Sequence, residues 1–594
     1  MSDASPNLRS WCRTSATPSR REVLRAGLGA GLGAVAIGLA RIAGVRGSTA
    51  SASTIAPPPT GATWSGPAGH PILELAESLD SVMIDGLPFA RDWTGDDFAN
   101  DEFPFHSCEN CFPKGGPPEP SEEVDVAIIG GGLSGLATAD ALRHRRIALF
   151  ELRNRMGGTA AGERWRGTSC SLGSAYFIVP DPGSDLEALY RRLGVWPGSA
   201  VAQGEVSVEI DGTLIMDLLR WKEFTPVEQA VVQRYAEVVR TFAEETYPEI
   251  PLPRDGDVQW ILDLDRSTLR ADIETRVGAA LPRRLAEAIQ AYCYSSFGVG
   301  WDQISAASGW NFIAAEEYGR IVLPGGNAGL ASAFWDSLRH AERVQRRSIL
   351  RPRRKVVDVR LDGSAVRVTW SDGGGQFASL RARHAVLANA KSVAKYMLPE
   401  LAALDPEKFE AIHQFTTCAY AVVNVLMERS SARRFYDLFL LGHGDFPMTE
   451  GSAEKALKVI DVLDGGYAAV GGGAATILTL YWPLPWGSAR FALLGPEGWS
   501  TFAAALAPQL RSILSLLGLE SSSIHQIRMS RWGHAMPVAR PDAIADGLPA
   551  LLRRPIAERI WFVNQDNWLL PAVETCLLEA IDVAAQIDTR LSMP

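Results

Sequence analysis

The run Gly130-Gly131-Gly132-Leu133-Ser134-Gly135 has the residue types and spacing to hold a chain of phosphates. Gly130 permits a tight turn, Gly132 lets backbone approach a pyrophosphate, and Gly135 lets a following helix pack closely on a sheet. Leu133 and Ser134 then stand at the helix N-terminus, where free N–H groups and a partial positive charge favour anions. Glu151 follows 21 residues after Gly130 and can accept from a ribose hydroxyl. Its charge would repel a 2′-phosphate, which disfavours NADP. These residues predict a dinucleotide site.

The elements around them have the right order. Val124–Ile129 is a short β-branched run suited to a buried parallel strand. A helix is expected through Leu136, Ala139 and Leu142, and a second strand over Ile147–Phe150. That is one βαβ unit in under thirty residues. Farther on, Thr225-Pro226-Val227-Glu228 carries a capping residue, an initial Pro and a Glu three after the cap, opening a helix to about Glu245. A second helix covers Arg283–Tyr292, and residues 190–315 read as mainly helical. Val356–Trp370 reads as a strand pair around Asp362-Gly363, and Ala385–Ala388 as a buried strand. The run Gly465–Ala489 is uncharged over 25 residues, but its glycines, Pro483 and Pro485 fit buried strands and a turn better than a membrane helix.

After Glu151 comes Leu152-Arg153-Asn154-Arg155-Met156-Gly157-Gly158. This continuation resembles the flavin-containing amine oxidase and phytoene desaturase superfamily, which places an Arg-x-Gly-Gly doublet against the dinucleotide. The resemblance implies FAD, with Gly157 and Gly158 allowing close approach and Arg155 supplying charge to phosphate. Gly173 and Ala175, in Ser171–Phe177, are similar to the segment that passes the flavin ring. Leu323-Pro324-Gly325-Gly326-Asn327 is similar to the family's Gly-Gly turn before a helix. The strand containing Val356 resembles the one under the adenine. Ile560–Trp568, with Asp566, followed by Pro571–Thr575, resembles the closing strand and helix, whose N-terminus at Val573 faces the flavin's pyrimidine end.

The catalytic segments depart from the family. The amine oxidases carry a Lys just before a central strand, whereas Ala382–Ala390 has none at that point, and Thr159 replaces the Arg that usually follows the doublet. Val386–Ala390 and Tyr396–Glu400 look more like a carotenoid-type desaturase. Trp568 falls where amine oxidases place one wall of an aromatic cage, and Trp532 is a candidate for the other side of the ring. His534 is a candidate base. No residues are assigned to a metal. Neither segment beside the expected flavin has a Cys placed for covalent attachment, so non-covalent FAD is expected.

The chain as a whole sets the compartment and the domain plan. Arg20-Arg21 precedes an apolar run, Ala26–Ala40, too short to cross a bilayer, and Ser48–Ala52 offers a cleavage zone. This resembles a Tat export signal, implying a bacterial, periplasmic or otherwise exported protein and the Tat machinery as partner. Residues 1–50 hold seven Arg against Asp3 and Glu22, so a net charge of −10 for the chain leaves −15 for the remainder. Such an acidic body argues against nucleic acid, and no stable membrane span is expected in the mature protein. Of seven Cys, Cys108 and Cys111 alone sit close together and are compatible with a local disulfide. At 594 residues more than one unit is expected. The expected fold is α/β: a Rossmann-like FAD-binding domain interleaved with an α+β substrate domain, as in glutathione reductase and monoamine oxidase. The segments are 1–50 signal, 51–120 irregular extension, 121–190, 318–395 and 528–594 FAD domain, and 191–317 and 396–527 substrate domain. The expected activity is oxidation of a small amine by hydride transfer to flavin. Two alternatives are desaturation or isomerisation of an apolar, isoprenoid-like chain, and a non-catalytic exported binding or assembly protein that uses FAD structurally.

Overall fold

A computed structural model describes residues 68–96, 116–372, 376–433, 435–449, 458–468, 475–484, 489–495 and 497–593. Arg20-Arg21 and the Cys108/Cys111 pair lie outside the described residues. The expected α/β architecture is observed. One sheet runs in the order Leu350–Arg351, Ile147–Phe150, Pro120–Ile129, Phe377–Leu387, Ala365–Ser371, Lys355–Asp362, with Ile560–Phe562 added beside Phe377–Leu387. The strands from 350 to 387 in that order, and Ile560–Phe562, pair in parallel. The hairpin 355–371 expected around Asp362-Gly363 pairs antiparallel, Arg360 opposite Arg367.

The helix Leu133–Ala141 packs on this sheet between Asn327–Gln345 and the last helix, Val573–Ser592. Leu136, Leu338 and Leu577 meet in one dry cluster, each fully buried. Burying a side chain of this size stabilises by roughly 1.5–3 kcal/mol, so the three helices lock the βαβ unit to the C-terminal segment.

The second large sheet runs from Thr213–Ile215 through Val208–Ile210, Asp437–Gly442, Asp461–Asp464, Thr476–Leu484, Thr417–Met427 and Ile524–Pro537 to Leu87–Phe89 and Val82–Ile84. Thr476–Leu484 is the strand foreseen in the uncharged run, and its face is almost wholly buried. Helices Pro226–Glu244, Arg283–Phe297 and Ala306–Glu316 form a helical layer over it. The first is capped as the sequence foretold: Glu228 N–H donates to Thr225 Oγ1, and Thr225 N–H donates to Glu228 Oε2.

Two boundaries differ from expectation. Residues 51–120 are not wholly irregular, because Ile72–Glu74, Val82–Ile84 and Leu87–Phe89 are strands. Each is three residues long, too short to show a period; Ile72 lies beside Gly162, and Val82–Ile84 and Leu87–Phe89 form a hairpin that joins the second sheet at Ile527. Ile524–Pro537 straddles the expected boundary at 528 and belongs to the second sheet, pairing with Thr417–Met427 over its length.

Candidate active site

The glycine loop is built as its spacing required. Gly130 turns with φ 108°, and a Cβ at Gly135 would stand 1.8 Å from Gly130 O. Around Gly132 the same construction meets nothing within 4 Å: its open side faces space, not protein. The helix that follows has Gly132 at its cap and no side chain capping it. Glu151 lies beside the loop, its Oε2 accepting from Gly131 N–H at 2.7 Å and its Oε1 from Arg153 N–H at 2.9 Å. Gly157 N–H donates to Gly131 O at 2.7 Å, so the Gly157-Gly158 doublet is clamped to the loop. An uncapped helix start, an open glycine and a fixed carboxylate fit the phosphates and ribose of a dinucleotide.

Other expected residues fall around this cradle. Arg155 is held by donation from Nη1 to Gly162 O at 3.0 Å, which fixes the doublet's approach. Val356 is buried in the hairpin opposite Trp370. Asp566 Oδ2 accepts from Lys391 N–H at 2.8 Å. Val573 opens the last helix, whose cap residue Ala572 lends no side chain.

Lys391 was not foreseen. The sequence has no Lys before the strand ending at Leu387, yet one follows it by four residues and is fully buried. Its Nζ donates to Asn564 Oδ1 at 2.8 Å and Asn567 Oδ1 at 2.6 Å, and burial pulls its pKa down to about 8. It ties the 388–391 loop to the turn carrying Asp566, and it does not line the cavity described next. Cys576 was also outside expectation, but burial pushes its thiol up to about 11, so it stays protonated at neutral pH.

A cavity of about 400 Å³ opens where the two domains meet. One side is Gly173–Ile178, Gln565 and Ala572–Thr575, the segments expected beside a flavin ring. An adjoining part of the lining is aromatic: Tyr420, Tyr481 and Trp532. Two of these pin the first side in place. Trp532 Nε1 donates to Leu172 O, and the Tyr481 hydroxyl donates to Gly173 O, both at 2.8 Å. Trp532 thus lines the cavity.

Trp568 does not. It is buried outside the cavity lining, its indole N–H donated to Glu579 Oε1 at 2.7 Å and its ring 4.9 Å from the Arg553 guanidinium. The cause is local: the turn Gln565–Trp568 ends at Leu569 with φ 53°, which swings Leu570–Ala572 to the cavity instead. His534 is also absent from the lining, its Nδ1 2.7 Å from Thr417 Oγ1. Trp568→Phe is therefore expected to leave turnover within about threefold of wild type. It should cost about 1–3 kcal/mol of stability, because Glu579 loses a buried donor. Thermal unfolding and steady-state rates on the same preparation check both.

The cavity's deep end is acidic, and no motif announced it. Glu316, Asp437 and Asp461 line it, with Arg320 behind them. Arg320 Nη1 donates to Asp437 Oδ2 at 2.5 Å and lies between the rings of Tyr176 and Tyr436. These residues come from one helix, its flanking strand and two strands of the second sheet, and only the fold assembles them. Among the described residues no group of His, Cys, Asp and Glu could hold a metal, and no helix is long and apolar enough to cross a membrane.

Comparison with known proteins agrees with this architecture. The NAD(P)-binding Rossmann-like domain family matches residues 128–193, which span the glycine loop, Glu151 and the doublet. Oxidoreductase PigB of Serratia sp. (strain ATCC 39006) is 21% identical over 529 residues, covering 79% of this chain and 76% of that protein. Among solved structures, cyclohexylamine oxidase from Brevibacterium oxydans IH-35A superposes with a TM-score of 0.56 at 17% identity, covering 79% of this chain and all of that one. A putrescine oxidase bound to putrescine gives a TM-score of 0.53 at 18% identity, over 79% of this chain and 99% of that one. The chain thus has the fold of the flavin-containing amine oxidases, with an NAD(P)-binding Rossmann-like domain carrying its glycine loop.

Proposed function

We propose that the chain is an exported FAD-dependent oxidoreductase that oxidises a small amine by removing a hydride from the carbon beside nitrogen. The observation that carries this is the cavity itself, walled by the flavin-side segments Gly173–Ile178 and Ala572–Thr575 and by Tyr420, Tyr481 and Trp532. Bound FAD supplies the two-electron acceptor. The protein's part is positional. The cradle of Gly130, Gly132 and Glu151 and the uncapped helix at Leu133 hold the dinucleotide end. Trp532 and Tyr481 fix Leu172 and Gly173 by hydrogen bonds, which would hold this segment in place beside a bound flavin. Their π-faces would align an electron-rich or cationic group in a largely apolar chamber.

The amine class is supported by the names of the two solved oxidases with this fold. Export is supported by Arg20-Arg21 before the apolar run, in a chain whose remainder is strongly acidic. Non-covalent FAD is supported by the protonated, buried state of Cys576 near the cradle. The test is anaerobic mixing of the purified holoprotein with cyclohexylamine and with short aliphatic amines. Bleaching of the flavin band by at least one of them is expected. A flavin that stays oxidised with every amine, yet bleaches with an isoprenoid-like alkene, would replace this proposal with the desaturase alternative.

A further inference from the structure

The acidic end of the cavity holds more carboxyl groups than its cation neutralises. Glu316 is well satisfied: the hydroxyls of Tyr176 and Tyr292 donate to its Oε1 at 3.0 and 3.1 Å, and Arg320 Nε stands 3.2 Å from its Oε2. Asp437 takes its bond from Arg320. Asp461 lies against the Asp437 carboxyl and accepts from the Ser295 hydroxyl, at 2.7 Å from its Oδ2. The remaining oxygens, Asp437 Oδ1 and Asp461 Oδ1, have no donor among the described residues, although the two side chains are 6% and 2% exposed and line the cavity.

Three ionised carboxylates against one guanidinium would leave two negative charges in a dry chamber. Burial and the adjacent Asp437 carboxyl raise Asp461 well above the usual carboxylate range. The other groups facing the pair are Glu316, Arg320, Tyr420, Tyr436 and Tyr481. Burial pushes the three tyrosines well above their ordinary range, and Arg320 stays charged.

We propose that Asp437 and Asp461 form a cation subsite that receives an ammonium group of the substrate. This rests on the cavity being the substrate chamber of the oxidoreductase proposed above. As the ammonium enters, its N–H groups donate to Asp461 Oδ1 and Asp437 Oδ1, which favours the ionised pair. A carboxyl proton held by the pair then breaks from its oxygen and passes to water, and the charge brought by the ammonium leaves with it. Neutral ligands have no such exchange, and carboxylate ligands are repelled.

The test is calorimetric titration of the holoprotein with butylammonium chloride, and with butan-1-ol as the neutral probe. Repeating it in buffers of different ionisation enthalpy counts protons. Wild type should release protons on binding butylammonium, and none with butan-1-ol. Asp461→Asn should bind butylammonium at least tenfold more weakly and release no proton, while retaining FAD. Ser295→Ala, which removes the one donor that favours ionised Asp461, should bind it severalfold more weakly. Absence of butylammonium binding, binding without proton release, or unchanged affinity in both variants overturns the subsite. Flavin bleaching is read separately. An amine that bleaches the flavin but binds Asp461→Asn as tightly as wild type refutes the subsite alone. Proton-linked binding with no bleaching by any amine sustains the subsite and refutes the oxidase proposal.

Discussion

Gly135→Ala is expected to yield protein with no bound flavin. The added Cβ would lie 1.8 Å from Gly130 O and 3.4 Å from Ala388 Cβ, so either the helix Leu133–Ala141 lifts off the sheet or the loop opens. Both moves separate the helix N-terminus from the Glu151 carboxylate, and the dinucleotide needs the two together. Because that helix also packs Leu136 against Leu338 and Leu577, the change should cost at least about 2–3 kcal/mol, in the range of an overpacked core. Gly132→Ala is the informative contrast. Its Cβ meets no protein atom, and its φ of −71° suits any residue, so the fold should keep its stability. That Cβ would instead occupy the space left for the pyrophosphate, so FAD affinity should fall on its own. Flavin absorbance per chain and thermal unfolding, measured on both variants, separate a folding effect from a ligand effect.

The second large effect is expected from Arg320→Met. Arg320 is 5% exposed, yet it is the cation that Glu316 and Asp437 share. Removing it strands buried carboxylates, at about 3–5 kcal/mol near neutral pH. The pH dependence has a definite sign. Without the guanidinium, the folded-state pKa of these acids rises above the unfolded value. Such groups contribute stability at low pH and lose it as pH rises through the folded pKa. The deficit of Arg320→Met should therefore shrink as pH is lowered towards 4 and grow towards 8. Denaturant unfolding across that range checks it, and a deficit that is flat with pH would remove the electrostatic explanation.

The sequence was most legible where chemistry needs neighbours along the chain. The cradle, Glu151, the Gly doublet, the capped helix at Thr225 and the hairpin at Asp362-Gly363 are all local patterns, and each stands as its residue types require. Where function depends on chain-distant meetings, the sequence was silent. Asp437 and Asp461 lie on separate strands of a sheet that bring them to Glu316, and no spacing encodes that encounter. Trp568 was misplaced for a related reason: its position in the motif matched, but the fold bonds its indole N–H to Glu579 of the last helix, outside the cavity lining. Lys391 was overlooked because a Lys was sought before the strand, while the fold buries one just after it.

The most direct measurement is the cofactor content of the purified full-length protein. Acid or heat should precipitate the chain and leave its flavin in the supernatant, identified as FAD by chromatography, at close to one per chain. A colourless preparation that takes up no FAD on incubation would contradict the account. Flavin that stays with the precipitate would contradict its non-covalent attachment.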